Sequence, residues 1–166
     1  MKKSIPIILF LFSISLYANA QTEFKIEYNE LVLPSPIVFE TQSDKLKPES
    51  NVPLQHVVDY LNAKTYITLM RVEAHVSGTN DEKADVELTM KRSLAVCKWL
   101  VDKGIDCKRL LPVGFGTYKP VAENSTAEGK AANTRCVFAN AELRAKAIGG
   151  MPVDGGGLLA GDPCAK

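Results

Sequence analysis

Arg92 is the residue in this 166-residue chain whose type and setting most directly offer chemistry. It lies at the edge of the apolar face of an amphipathic stretch, V-E-L-T-M-K-R-S-L-A-V-C-K-W-L-V-D-K-G-I, residues 86–105. A guanidinium held there can take a carboxylate through two parallel hydrogen bonds. A zwitterionic amino-acid end would be gripped by such a guanidinium together with one fixed anion. The ordinary alternative for a lone helical arginine is a solvated residue, or an ion pair with Asp85 or Glu87.

Other constellations are thin. His56 and His75 are far apart in sequence and have no metal-ligand spacing between them. His75 reads as a strand-end residue. No Ser/His/Asp or Cys/His arrangement is recognisable, so the chain is expected to bind rather than catalyse, with no cofactor and no metal. The four cysteines, Cys97, Cys107, Cys136 and Cys164, are not spaced as CxxC pairs. After an export signal an even count predicts at least one disulfide, with three pairings open. Cys97 and Cys136 fall on a helix and a strand, where each also fits a buried free thiol.

Lys2 and Lys3, an apolar run over residues 5–17 and the sequence Ala18-Asn19-Ala20 form a secretory leader. Cleavage is expected after Ala20. The run is shorter than the roughly 20 residues a span requires, and no later stretch is apolar enough to cross a membrane. The 20 lysines and arginines, less Lys2 and Lys3, leave 18 basic against 19 acidic residues. That balance gives no electrostatic case for nucleic acid or anionic lipid.

The elements that must position Arg92 follow from periodicity. Residues 31–40 read as a strand. Ser50 is a candidate cap, and Leu54, Val57, Val58 and Leu61 recur at helical spacing to about residue 62. Residues 66–75 alternate as a strand. Thr79 and Glu82 have capping-box spacing, which starts the second helix near Asn80. That helix runs to Lys103, and Gly104 stops it. Leu88, Val96, Trp99 and Leu100 form its packing face. Residues 110–116 read as a strand, 118–130 as a loop and 134–141 as a last strand. After residue 148 a glycine-rich tail begins, expected to fray unless Cys164 is bonded. The order predicts an α/β two-layer sandwich, β-α-β-α-β-β, with both helices on one face of a mixed sheet. The domain limits expected are a leader over 1–20, an extension over 21–34, the domain over 35–142 and the tail over 143–166.

The chain resembles the OmpA-like peptidoglycan-binding domain over residues 33–139, about two thirds of its length. The opening I-V-F-E-T-Q-S-D-K-L-K-P is similar to that family's I-x-F-x-x-x-S-x-x-L-x-P. The second strand ends in A-H-V-S where the family has G-H-T-D. Leu88-Thr89 and Arg92-Ser93 stand at its Leu-Ser and Arg-Ala. Gly104-Ile105, Gly114-Phe115-Gly116 and Pro120 follow at similar spacing. N-S-T-A-E-G-K-A-A-N-T-R resembles its N-x-T-x-x-G-R-A-x-N-R-R.

The resemblance implies a periplasmic domain that grips peptidoglycan non-covalently. An aspartate would pair with the amine of diaminopimelate, and the arginine matched by Arg92 would take a carboxylate of the same residue. The site it implies comprises Phe39, Glu40, Thr41, Val76, Ser77, Asp85, Leu88 and Arg92. Ser77 stands at the aspartate's position, Val76 at a threonine's and Asn80 at a common glycine's. A serine cannot balance an ammonium, and losing one partner of a buried charged contact costs about 2–5 kcal/mol. Glu40 and Asp85 are better placed than Asp81 as a relocated anion. The alternative is a protein-interaction module of an outer-membrane or secretion assembly, with the peptidoglycan site degenerate. An open cleft at Arg92 with an acid beside it favours binding. A cleft filled by side chains or by the tail favours the alternative.

Overall fold

The computed structural model describes residues 23–79, 81–148 and 155–165. The expected leader over 1–20 lies outside the described residues, as does the tail over 149–154.

A hairpin opens the fold, β1 (Ile26–Glu27) with β2 (Glu30–Leu31). Its turn residues, Tyr28 and Asn29, both take positive φ, as tight hairpin turns that follow the strand twist require. Then come α1 (Asn51–Ala63), β3 (Ile67–Ala74), α2 (Glu82–Asp102), β4 (Leu110–Gly114), α3 (Ala127–Asn133), β5 (Cys136–Leu143), β6 (Lys146–Ala147) and β7 (Leu158–Leu159). The sheet order is β1-β2-β5-β3-β4-β7, with β6 on β5. Only β3 and β4 run parallel, joined through α2. The sheet is therefore mixed, with α1 and α2 sharing one layer against it. Leu54, Val57 and Leu61 of α1, Val96, Cys97 and Leu100 of α2, and Met70, Val72 and Phe138 of the sheet fill the core between the layers.

Several expectations are corrected. Residues 31–40 are not a continuous strand. Pro34 and Pro36 supply no amide donors, so a ladder cannot run through them. Past Leu31 the segment makes only an isolated bridge, Phe39 to Leu46. Ser50 does not cap α1. Its hydroxyl is buried and serves Val38 instead, accepting from Val38 N and donating to Val38 O, each at 2.8 Å. Thr79 does not cap α2. Asp81 does, accepting from Ala84 N at 3.0 Å. The expected loop over 118–130 contains the start of α3, capped by Thr126 through Gly129 N. Seven residues around a glycine carry no apolar stripe, so periodicity does not reveal them. Gly104 does end α2, at φ +94°.

The tail is pinned. Cys107 and Cys164 form a disulfide, and β7 pairs with β4 through Leu159 opposite Val113. Cys97 and Cys136 are free thiols.

Two contacts set α2 against the sheet. A Cβ on Gly114 would lie 2.4 Å from Met90 N, so helix and strand meet backbone to backbone there. Beside it, Thr89 Oγ1 accepts from Gly116 N at 2.9 Å. Asp85, Leu88 and Arg92 are carried on this anchored stretch.

Behind β3 lies a buried charged row. Arg71 Nε is 2.5 Å from Glu73 Oε1, and Glu73 Oε2 is 3.2 Å from His75 Nε2. His75 stacks on Phe115 at 5.0 Å between centroids. Burial pushes the Glu73 carboxyl up, but the His75 hydrogen bond and the charges of Arg71 and Lys119 outweigh it and hold it below the usual carboxylate range. Burial pushes the His75 imidazole below its usual 6.5, against the pull of Glu73. Both groups bind a proton more readily when unfolded, so both stabilise the fold at high pH and lose that contribution on acidification. The urea midpoint should be flat above about pH 7 and fall steadily as pH drops through 6.5 towards 4. A midpoint unchanged across that window would contradict the assignment.

Candidate functional site

Phe39, Glu40, Thr41, Val76, Ser77, Asp85, Leu88 and Arg92 all line one open cleft of about 200 Å³. Gln42, Gly78, Thr79 and Thr134 complete its wall. Three segments meet there: the strap after Pro36, the chain leaving β3, and the N-terminal half of α2. Asp85, Leu88 and Arg92 recur at spacings of three and four, which stacks them on one helix face.

Arg92 is only 7% exposed. Its Nε donates to Ser43 O at 2.8 Å and its Nη2 lies 3.5 Å from Glu40 O. Its guanidinium carbon is 4.8 Å from the centroid of the Phe39 ring. The ion pairs with Asp85 or Glu87 that its position allows are not formed among the described residues. Nη1 makes no hydrogen bond to the described residues. Burial lowers the guanidinium's pKa below its ordinary value, which still leaves it charged at neutral pH. The side chain therefore holds the strap with one nitrogen and keeps charge and donors for an anion.

The two candidate acids differ. Glu40 is half exposed and pairs with Lys45 Nζ at 2.8 Å. Asp85 is 3% exposed and forms no ion pair among the described residues. It accepts from Thr79 N at 2.9 Å and Thr79 Oγ1 at 3.0 Å. Its place in the first turn of α2 favours negative charge, because the helix dipole is positive there. Asp85 thus shapes the loop after Ser77. Gly78, at φ +98° and against Thr117, makes the sharp turn that this loop needs.

Ser77 is held through its backbone. Its amide donates to Thr134 Oγ1 at 3.2 Å, and its carbonyl accepts from Asn124 Nδ2 at 2.8 Å. Asn124 is in turn fixed by Asn133, whose Nδ2 donates to Asn124 Oδ1 at 2.7 Å. Buried Asn133 also accepts from Val121 N and Ala122 N and donates to Ala122 O. Gly129 fits because a Cβ there would meet Glu123 O at 1.9 Å. The N-x-T-x-x-G-x-x-x-N run is therefore a loop scaffold that supports position 77 from behind.

A model of the OmpA family matches residues 38–134, more than half of the chain. The chain belongs to the OmpA family. Its members are structural, non-enzymatic proteins. Among relatives of this OmpA-family chain, the probable lipoprotein YiaD of Escherichia coli is 34% identical over 106 residues, covering 63% of this chain and 48% of YiaD. The peptidoglycan-binding protein ArfA of Mycobacterium tuberculosis is 30% identical over 104 residues, covering 63% of this chain and 32% of ArfA. The chain thus spans about half the length of the first relative and a third of the second. The crystal structure of the peptidoglycan-associated lipoprotein from Burkholderia pseudomallei shares the fold, with a TM-score of 0.55 at 21% identity over 63% of this chain and 86% of that one.

Thr79 and Thr134 were not among the residues expected at the site. Thr134 reaches it through a hydroxyl that accepts from Ser77 N across the fold, and Thr79 through a hydroxyl that donates to Asp85 in the next helix; periodicity carries no sign of either contact. Asp85→Ala should free the Thr79 loop. We expect a stability loss of about 2 kcal/mol and faster amide hydrogen exchange at Thr79, read by NMR. Unchanged exchange there would show that Asp85 does not order the loop.

Proposed function

We propose that this OmpA-like domain, over residues 35–142, binds a peptidoglycan stem peptide non-covalently and tethers the envelope to the cell wall from the periplasmic side. Arg92 takes a carboxylate of the diamino acid, diaminopimelate in the simplest case. Ser77 cannot meet the amine as an anion, so an acid other than residue 77 does. Asp85 is the better candidate, because it is buried in the cleft wall and in no ion pair among the described residues, whereas Glu40 is engaged by Lys45. Phe39, Thr41, Val76 and Leu88 shape the walls. ArfA, named as a peptidoglycan-binding protein, supports the reading by kinship.

The observation that carries the proposal is the state of Arg92. It is nearly buried, unpaired with any acid among the described residues, and turned to an open cleft that also carries two carboxylates. Among the described residues of the tail, 155–165, none lines this cleft, and β7 pairs with β4 instead. Ser77 supports a second reading, in which the fold serves as an interaction module for an outer-membrane protein partner and the peptidoglycan site is degenerate.

Calorimetric titration of the mature chain with a diaminopimelate-containing tripeptide tests the choice. Arg92→Ala should weaken binding by about 2–5 kcal/mol, and Asp85→Asn should weaken it less. Ser77→Asp should strengthen binding, by supplying the second anion. No heat from the wild type at millimolar peptide, with binding restored only by Ser77→Asp, would decide for the second reading.

A further inference from the structure

Arg92 stands between two clefts of opposite character. The one described above carries Glu40 and Asp85. The other, of about 260 Å³, shares Phe39, Arg92 and Thr134 with it and continues past the guanidinium. Its apolar wall includes Pro36, Ile37 and Ala131. It also contains Arg135, and no carboxylate lines it. The Arg135 guanidinium donates to two backbone carbonyls, Asn133 O at 3.4 Å and Lys119 O at 3.2 Å, and feels the charges of Glu30 and Glu73 from outside the cleft. Cys136 lines the same cleft, and burial pushes its thiol up to about 12 against the pull of both arginines. The thiol is therefore neutral and does not cancel their charge. The trough is acidic on one side of Arg92, and apolar with added positive charge on the other.

We propose that the second cleft is a subsite for the residue that follows the diamino acid, one with a small apolar side chain and a free carboxylate, as in a terminal alanine. The inference rests on the stem-peptide reading above and extends it to the ligand's length and direction. Its size supports a single small residue, since it falls below the roughly 300 Å³ at which drug-sized pockets begin. Apolar walls disfavour a charged side chain, which would lose its water without gaining a partner. Two guanidinia in a cleft that no carboxylate lines favour a terminal carboxylate. The acids on the opposite side fix the orientation, with the amine towards the start of α2 and the chain's end towards Arg135.

The test is calorimetry on the mature full chain with three ligands: a tripeptide ending in diaminopimelate, the tetrapeptide extended by D-alanine, and that tetrapeptide as its C-terminal amide. Wild type should bind the tetrapeptide about tenfold more tightly than the tripeptide, and the amide should lose most of that gain. Ala131 is exposed at the mouth of the second cleft. Ala131→Trp should fill the cleft, leaving tripeptide affinity and the thermal midpoint unchanged while abolishing the gain. Equal affinity of wild type for tripeptide and tetrapeptide would overturn the subsite alone. A gain that survives both the amide and Ala131→Trp would also overturn it. Binding of neither peptide would overturn the stem-peptide reading, and the subsite with it.

Discussion

A guanidinium drawn almost wholly out of water, in no ion pair with a carboxylate among the described residues, is the constraint on which the site depends. Removing an ion from water costs several kcal/mol unless hydrogen bonds and charges replace the lost hydration. At Arg92 the replacement is partial. A backbone carbonyl on one nitrogen, a distant second carbonyl and the face of Phe39 supply what the fold offers. An incoming carboxylate would complete it. The same contacts fix the strap after Pro36, so ordering that segment and preparing the anion position are one event.

The rest of the molecule keeps that guanidinium in place. Backbone contact at Gly114 and the Thr89 hydroxyl on Gly116 N hold α2 against β4. The buried Ser50 hydroxyl holds both the N–H and the C=O of Val38 and so ties the strap to the start of α1. Asn133 organises the loop that supports Ser77 from behind. Each device meets buried backbone groups that irregular segments would otherwise leave without partners. β7, followed by the disulfide-bonded Cys164, covers the outer edge of β4 and does not line the cleft.

Much of this was legible in the sequence where pattern and physics are local. β3 and α2 follow from their periodicities, and the end of α2 from Gly104, whose φ of +94° suits glycine. The sandwich follows from the alternation of elements. The order of family motifs was enough to name eight positions that the structure brings around a single cleft. What was not legible depends on contacts that hydrophobic periodicity does not report. Ser50 looks like a cap until Val38 claims its hydroxyl. Thr79 looks like a cap until Asp85 takes both its amide and its hydroxyl. The short α3 has no apolar stripe to betray it. Pairing Cys107 with Cys164 required knowing that the tail returns along β4. The polarity of the trough across Arg92 arises from segments far apart in the chain.

The most direct test of the account is NMR observation of the Arg92 guanidinium during titration with a diaminopimelate-containing tripeptide. Capture of a carboxylate predicts a saturable shift of its Nη resonances and slower rotation about its Nε–Cζ bond, with matching shifts at Ser77 and Thr79. Arg92 resonances that stay unmoved while the peptide binds, or a peptide that perturbs only residues outside the cleft, would contradict it.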